Sequence, residues 1–211
     1  RPVVIIIQQS SFGKMTKDIF WTEIDMSNAR EQILQTTCAL LEKQGYHGTG
    51  LNEIIKESGS PKGSLYYYFP EGKEQITAEA VLQSGNQTAE RIRQGLTESS
   101  NAAKAVSDFI LNIAEHVERS GFAAGSPLTA VAMETATTSP RINAACHEAY
   151  QMLKSAFHDK LIECGYSKTK ADELATFIVS AIEGGIILSR TSHTTDPLRL
   201  VAKQLKVLLA L

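Results

Sequence analysis

The stretch Thr49-Gly50-Leu51-Asn52-Glu53-Ile54-Ile55-Lys56-Glu57-Ser58-Gly59-Ser60-Pro61-Lys62-Gly63-Ser64-Leu65-Tyr66-Tyr67-Tyr68-Phe69-Pro70-Glu71-Gly72-Lys73 holds two short helical patterns broken by one glycine. In the first, Leu51, Ile54 and Ile55 recur at helical spacing and Asn52, Glu53, Lys56 and Glu57 fill the other face. Thr49 is expected to cap its start, and Gly59 to end it in the left-handed conformation. Ser60 as cap and Pro61 at the first position then restart a helix. That second helix, residues 61–69, should bury Leu65 and Phe69 and present Lys62, Gly63, Ser64, Tyr66, Tyr67 and Tyr68. Pro70 stops it, and Gly72-Lys73 opens the next segment. A short helix with a lysine, a glycine that admits phosphate, hydroxyls and phenols suits a DNA major groove better than a small-molecule cleft. Spacing alone leaves open a packed helical corner with half-buried tyrosines.

From Ile33 to Lys73 the chain resembles the DNA-binding domain of the TetR/AcrR family of transcriptional regulators. The matching residues are Gly45-Tyr46-His47-Gly48-Thr49, then Ile54 to Gly59, then Lys62-Gly63-Ser64-Leu65-Tyr66-Tyr67-Tyr68-Phe69 and Lys73. The Pro-Lys-Gly-Ser-Leu-Tyr and Phe-Pro-Glu-Gly-Lys wording is similar to an LmrA/YxaF-like subgroup. So are Gly125-Ser126-Pro127-Leu128, residues 183–190 and Asp196-Pro197-Leu198, although Ser126 stands where many members are expected to have Cys. The resemblance implies an all-α fold with an N-terminal three-helix helix-turn-helix domain and a larger helical ligand-binding and dimerisation domain. It also implies a homodimeric, ligand-responsive repressor on a pseudo-palindromic double-stranded operator. Lys62, Tyr66 and Tyr67 are expected on bases or phosphates, and Thr49, Ser64, Tyr68 and Lys73 on phosphates, with Gly63 letting the backbone come near.

Composition argues less strongly for DNA. The formal net charge is −2, and within the head Arg30, Lys43, Lys56, Lys62 and Lys73 are matched by Glu31, Glu42, Glu53, Glu57 and Glu71. Affinity must come from local charge placement, helix ends and dimerisation, with a shallow dependence on salt. Cys38, Cys146 and Cys164 are odd in number and widely spaced, as reduced thiols of a cytoplasmic protein would be. No apolar run approaches the roughly 18 residues that span a bilayer.

The domain boundaries are expected at 1–26, 27–73 and 74–211. Residues 1–26 read as an appended segment, poorly ordered or strand-like, because the Val3-Val4-Ile5-Ile6-Ile7 run is short and unlike the helical patterns from Ser27 onward. Residues 27–45 form a helix with Ile33, Leu34, Thr37, Leu40 and Leu41 on one face. A longer helix begins after Gly72, with a bend plausible at Gln83-Ser84-Gly85-Asn86-Gln87. Further helices are read at 102–119, 128–136, 140–164, 168–190 and from Pro197 onward. The last two are very apolar, and Ile178, Ile182, Gly185, Ile186, Leu198, Val201, Leu205 and Leu208 are expected to form a four-helix dimer interface. An intrachain bundle is the alternative.

Phosphate loops of the P-loop or dinucleotide type and nucleophile elbows do not occur. His147 and His158 are too far apart on one helix for a shared metal. No metal, cofactor or enzymatic activity is expected. Phe109, Ile113, His116, Met133, Tyr150, Leu153, Phe157, Phe177 and Ile178 are the candidate lining of an effector cavity for a small apolar or aromatic molecule, although core is the better reading for each taken singly. Two rival readings stand beside the repressor: a helical enzyme using Tyr66 to Tyr68, and a dimeric ligand-binding protein without specific DNA affinity.

Overall fold

The computed structural model describes residues 14–210, with side chains from residue 29 onward. Among these residues it has nine helices and no strand, as the all-α reading requires. They are α1 (Lys14–Gly48), α2 (Leu51–Ser58), α3 (Lys62–Tyr68), α4 (Lys73–Leu96), α5 (Ala102–Arg119), α6 (Pro127–Thr135), α7 (Pro140–Glu163), α8 (Lys168–Ser192) and α9 (Asp196–Leu208).

The first helix is longer than expected. Residues 14–26 belong to it, because no proline or glycine interrupts 14–44 and Ser27-Asn28 does not stop a helix already under way. The expectation for residues 1–13 lies outside the described residues. Regular geometry ends at Gly45, whose φ of 72° and ψ of −175° kink the chain. Three helices then share a small core of Ile33, Leu34, Leu41, Ile54, Leu65 and Phe69, all buried.

Beyond Gly72 the chain turns into α4, which runs without interruption from Lys73 to Leu96. Gly85 serves a close crossing: a Cβ there would lie 2.6 Å from Cβ of Ala149 on α7. At the start of α7 the Ser139 Oγ accepts from the Ile142 amide (3.1 Å) as cap, and Pro140 occupies the first helical position. Helix α9 packs on both α5 and α8.

That packing corrects the expected dimer residues. Ile178, Ile182, Gly185, Leu198 and Leu205 are buried inside one chain, and Ile186 and Val201 are half-buried there. A Cβ on Gly185 would come within 2.9 Å of Leu198 Cδ2, so this glycine admits α9 of its own chain. The near-heptad stripe on α9 is an intrachain seam, and of the expected set only Leu208 is exposed, at 38%. The outer face carries Phe177, Ile187 and Leu188 of α8 and Leu200 and Val207 of α9, all exposed.

Candidate nucleic-acid interface and effector cavity

Gly59 ends α2 in the left-handed conformation, φ 64°, and so sets the tight turn into α3. Pro61, not Ser60, is the residue that precedes α3; Ser60 is buried and its hydroxyl has no partner among the described residues. Leu65 and Phe69, both 0% exposed, pin α3 to the core. Helical phase therefore turns Lys62, Gly63, Tyr66 and Tyr67 outward, with Tyr67 the most exposed of the tyrosines at 68%. Lys62 makes no ion pair among the described residues, and its ammonium lies 6.0 Å from the Tyr66 ring centroid. A Cβ on Gly63 would meet nothing within 4 Å, so nothing inside the chain demands glycine there. Ser64 and Tyr68 are half-buried at the edge of this surface. Lys62→Ala is expected to lower operator affinity by about tenfold and to reduce the slope of log K against log salt by about 1 for each chain bound. Fluorescence anisotropy at several salt concentrations measures both, and an unchanged slope would remove Lys62 from the phosphate contacts.

Two other expected contacts sit differently. Thr49 is buried; its hydroxyl donates to the Gly45 carbonyl (2.7 Å) and its amide to the Tyr46 carbonyl (3.2 Å). Both donors are spent closing the turn, so Thr49 neither caps α2 nor reaches a phosphate, and Gly50 takes the cap position. Lys73 is half-buried with its ammonium 4.1 Å from the Tyr46 ring centroid, and burial lowers its pKa. It braces the head at the root of α4.

A cavity of about 670 Å³ lies between α1, α4, α5, α7 and α8 and the start of α6. Phe109, Ile113, His116, Leu153 and Phe157 line it as expected, with the Phe109 and Phe157 rings edge to face at 5.9 Å. Met133 does not: it is 81% exposed on α6. Phe177 faces outward and Ile178 is core, because the cavity face of α8 is Val179, Ile182, Glu183 and Ile186. Tyr150 stands behind the wall, its hydroxyl 3.2 Å from Thr129 Oγ1.

The polar lining was not foreseen, and it includes Gln35, Glu42, Arg91 and Glu183. Glu183 had a signal, as the sole charged residue of α8 between Glu173 and Arg190. Thr129 Oγ1 donates to its Oε2. Burial holds the Glu183 carboxyl above the usual carboxylate range, opposed by the Thr129 hydrogen bond. Burial, then the Glu183 charge, pushes the Tyr150 phenol up to about 12. Cys38, also in the lining, is pushed up to about 12 by burial and then by Glu31 and Glu42, so it is a neutral thiol at pH 7.

A carboxyl whose pKa is raised by folding supports the folded state fully below its unfolded value of 4.5, and that contribution disappears as pH climbs through the folded value. Glu183→Gln, which removes the charge and keeps the shape, is therefore expected to raise the melting temperature at neutral pH by about 2–4 °C, roughly the equivalent of 1 kcal/mol. The gain should vanish as pH falls to about 4. Melts at both pH values test this, and an equal shift at the two would contradict it.

Cavity and head are joined by α6. Its leading residues Gly125, Ser126 and Pro127 belong to the cavity wall, and the Gly125 amide donates to Glu42 of α1 (2.8 Å). Arg190 of α8 holds the same loop by donating to the Phe122 carbonyl (3.3 Å). Near its other end, Glu134 accepts from the His47 amide (2.8 Å), in the turn between α1 and α2. A Cβ at Gly45 would overlap that carboxylate, so glycine there admits Glu134 as well as the kink. Ser139 to Glu74 and Arg141 to Glu71 then tie the start of α7 to the start of α4.

Residues 33–80 match the family model for bacterial regulatory proteins of the tetR family, and residues 102–204 match that for the C-terminal domain of the LmrA/YxaF-like transcriptional regulators. The chain is 42% identical over 181 residues to the uncharacterized HTH-type transcriptional regulator YxaF of Bacillus subtilis, covering 86% of this chain and 95% of that one. It is also 42% identical over 175 residues to the HTH-type transcriptional regulator LmrA of the same organism, covering 81% and 91%. Among solved structures, the regulatory protein TetR from Rhodobacter sphaeroides superposes with a TM-score of 0.74 at 22% identity, over 84% of this chain and 97% of that one. The fold is also that of FadR from Bacillus subtilis in complex with stearoyl-CoA, with a TM-score of 0.57 at 16% identity, over 85% and 96%.

Proposed function

Because the chain belongs to the TetR family of bacterial transcriptional regulators, with a C-terminal domain of the LmrA/YxaF-like type, we propose that it is a homodimeric repressor released from DNA by a small apolar or aromatic effector. Two copies of α3 enter successive major grooves of a pseudo-palindromic operator, with half-sites about 34 to 36 Å apart or slightly more. Lys62, Tyr66 and Tyr67 make the leading contacts, with Gly63, Ser64 and Tyr68 alongside. The division of labour falls near Lys73, residues up to 73 reading DNA and residues 74–211 holding the partner subunit and most of the effector cavity, to whose wall α1 adds Gln35, Cys38 and Glu42.

The observation that carries this reading is the placement of α6, which begins in the cavity wall and ends on the turn ahead of α2. An effector in the cavity has differential contacts with any arrangement of Gly125-Ser126-Pro127, and displacement of α6 moves Glu134 against the head. The release it can drive is bounded by its difference in affinity for the two arrangements. Glu134→Gln is expected to weaken the clamp and speed amide exchange at His47 by about tenfold, the loss of one charge-assisted bond. Hydrogen exchange reads this directly, and unchanged protection at His47 would argue against the clamp.

Selection of bound duplexes from a random pool, at low and near-physiological salt, tests the proposal. Enrichment of an inverted repeat that survives the higher salt is the expected result. No enrichment at either salt would favour a dimeric ligand-binding protein without specific DNA affinity.

A further inference from the structure

We infer, resting on the reading of the cavity as the effector site, that Glu183 is its polar anchor and that its ligands are apolar or aromatic bodies carrying an O–H or N–H donor for that carboxylate. Thr129 has one hydroxyl proton and gives it to Glu183 Oε2, so the nearby Tyr150 hydroxyl is left as donor to Thr129. The relay Tyr150 to Thr129 to Glu183 thus points every protein donor at one carboxylate oxygen from behind. Glu183 Oε1 receives no hydrogen bond among the described residues, and it is not sealed away, since Glu183 lines the cavity.

The surroundings make that oxygen selective. Ile182, Ile186, Ile113 and Phe157 line the same cavity and offer nothing to a carboxylate. Glu42, the other acidic group of the lining, already accepts from the Gly125 amide. Arg91 and His116 are exposed, and neither pairs with Glu183 among the described residues. A ligand that fills the cavity without a donor strips water from Oε1 and leaves it unmatched, whereas one with a donor replaces the water. Sites built to hydrogen-bond discriminate strongly against analogues that lack the group. An anionic ligand meets the carboxylate's own charge.

The test is calorimetric titration of the full chain with three biphenyls of matched shape: 4-phenylphenol, a neutral donor; 4-phenylbenzylamine, a cationic donor; and 4-methoxybiphenyl, which has none. The expected result is that at least one donor binds the wild type about tenfold or more tightly than 4-methoxybiphenyl. That preference should fall to about threefold or less in Glu183→Met, which keeps length and removes the acceptor. Should that variant lose its helical signal, Glu183→Gln serves in its place, with the amine's advantage the one expected to fall. The phenol and amine arms separate hydrogen bonding from charge as the source of the preference. Equal binding of all three to the wild type, or a preference that survives loss of the carboxylate, would overturn the anchor while leaving the cavity a binding site. No binding of any of the three would overturn the cavity reading and the anchor with it.

Discussion

Leu188→Glu is expected to turn the protein into a monomer with unchanged helical content, and to lower operator affinity by about a hundredfold or more, since two linked half-site contacts become independent ones. Leu188 is 59% exposed, beside Ile187 and about three turns beyond Phe177 on α8, and Leu200 and Val207 add to this surface from α9. An exposed apolar face of this extent, drawn from two adjacent helices, is the kind that marks a contact with another protein. Gly184 strengthens the case: a Cβ there would meet nothing within 4 Å in the single chain, and it shares helical phase with Phe177 and Leu188. A partner helix can approach the backbone there. A buried glutamate without a counter-charge opposes association strongly. Sedimentation velocity decides the matter: a persistent dimer would place the interface elsewhere. Gly185→Leu, by contrast, should destabilise each chain by prising α9 from α8, because its neighbours are Leu198 and Val201 of the same chain.

Phe69→Ala is expected to cost about 3–5 kcal/mol, enough to release α2 and α3 while α1, which also packs on α4 and α6, and the helices beyond Gly72 stay folded. Phe69 is fully buried, packs edge to face with Tyr68 at 6.3 Å, and lies under the Arg30 guanidinium at 5.6 Å. Its loss removes the residue that fixes the end of α3. DNA binding should disappear while ligand titrations of the cavity still give an isotherm. Retained DNA affinity would mean that α3 is held by something other than Leu65 and Phe69.

Reading the sequence reached the elements whose signals are local. Gly59, Pro61 and the Leu65 and Phe69 pair encode the helix-turn-helix within twenty residues, and Ser139-Pro140 encodes a helix start within two. What was missed depends on partners distant in the chain. Thr49 is the local exception: it looks like an ordinary cap, but the kink at Gly45, four residues back, brings that carbonyl within 2.7 Å. Gly185 looks like an oligomerisation glycine because periodicity cannot say whose helix comes close, its own α9 or a partner's. Three apolar stripes on α8 differ by small rotations, and only packing assigns one to the cavity, one to α9 and one to the outer surface. The charges that join the two halves, Glu42 to Gly125 and Glu134 to His47, span more than eighty residues each and leave no pattern along the chain.

The neutral head also acquires a physical explanation. Arg30 is paired with Glu79 at 2.5 Å and Lys56 with Glu57 at 3.3 Å, whereas Lys62 makes no ion pair among the described residues. Lys62 on α3 is thus one of two exposed lysines of the head, with Lys43 on α1, that make no ion pair among the described residues. Weak non-specific binding with a shallow dependence on salt is the expected consequence.

The most direct test of the central claim compares a selected inverted-repeat duplex with the same duplex carrying one scrambled half-site, by anisotropy for affinity and native mass spectrometry for stoichiometry. The account requires two chains on the intact repeat and an affinity about a hundredfold or more above that for the scrambled duplex. Equal affinity for the two, or one chain per intact repeat, would contradict a dimer that reads DNA with paired α3 helices.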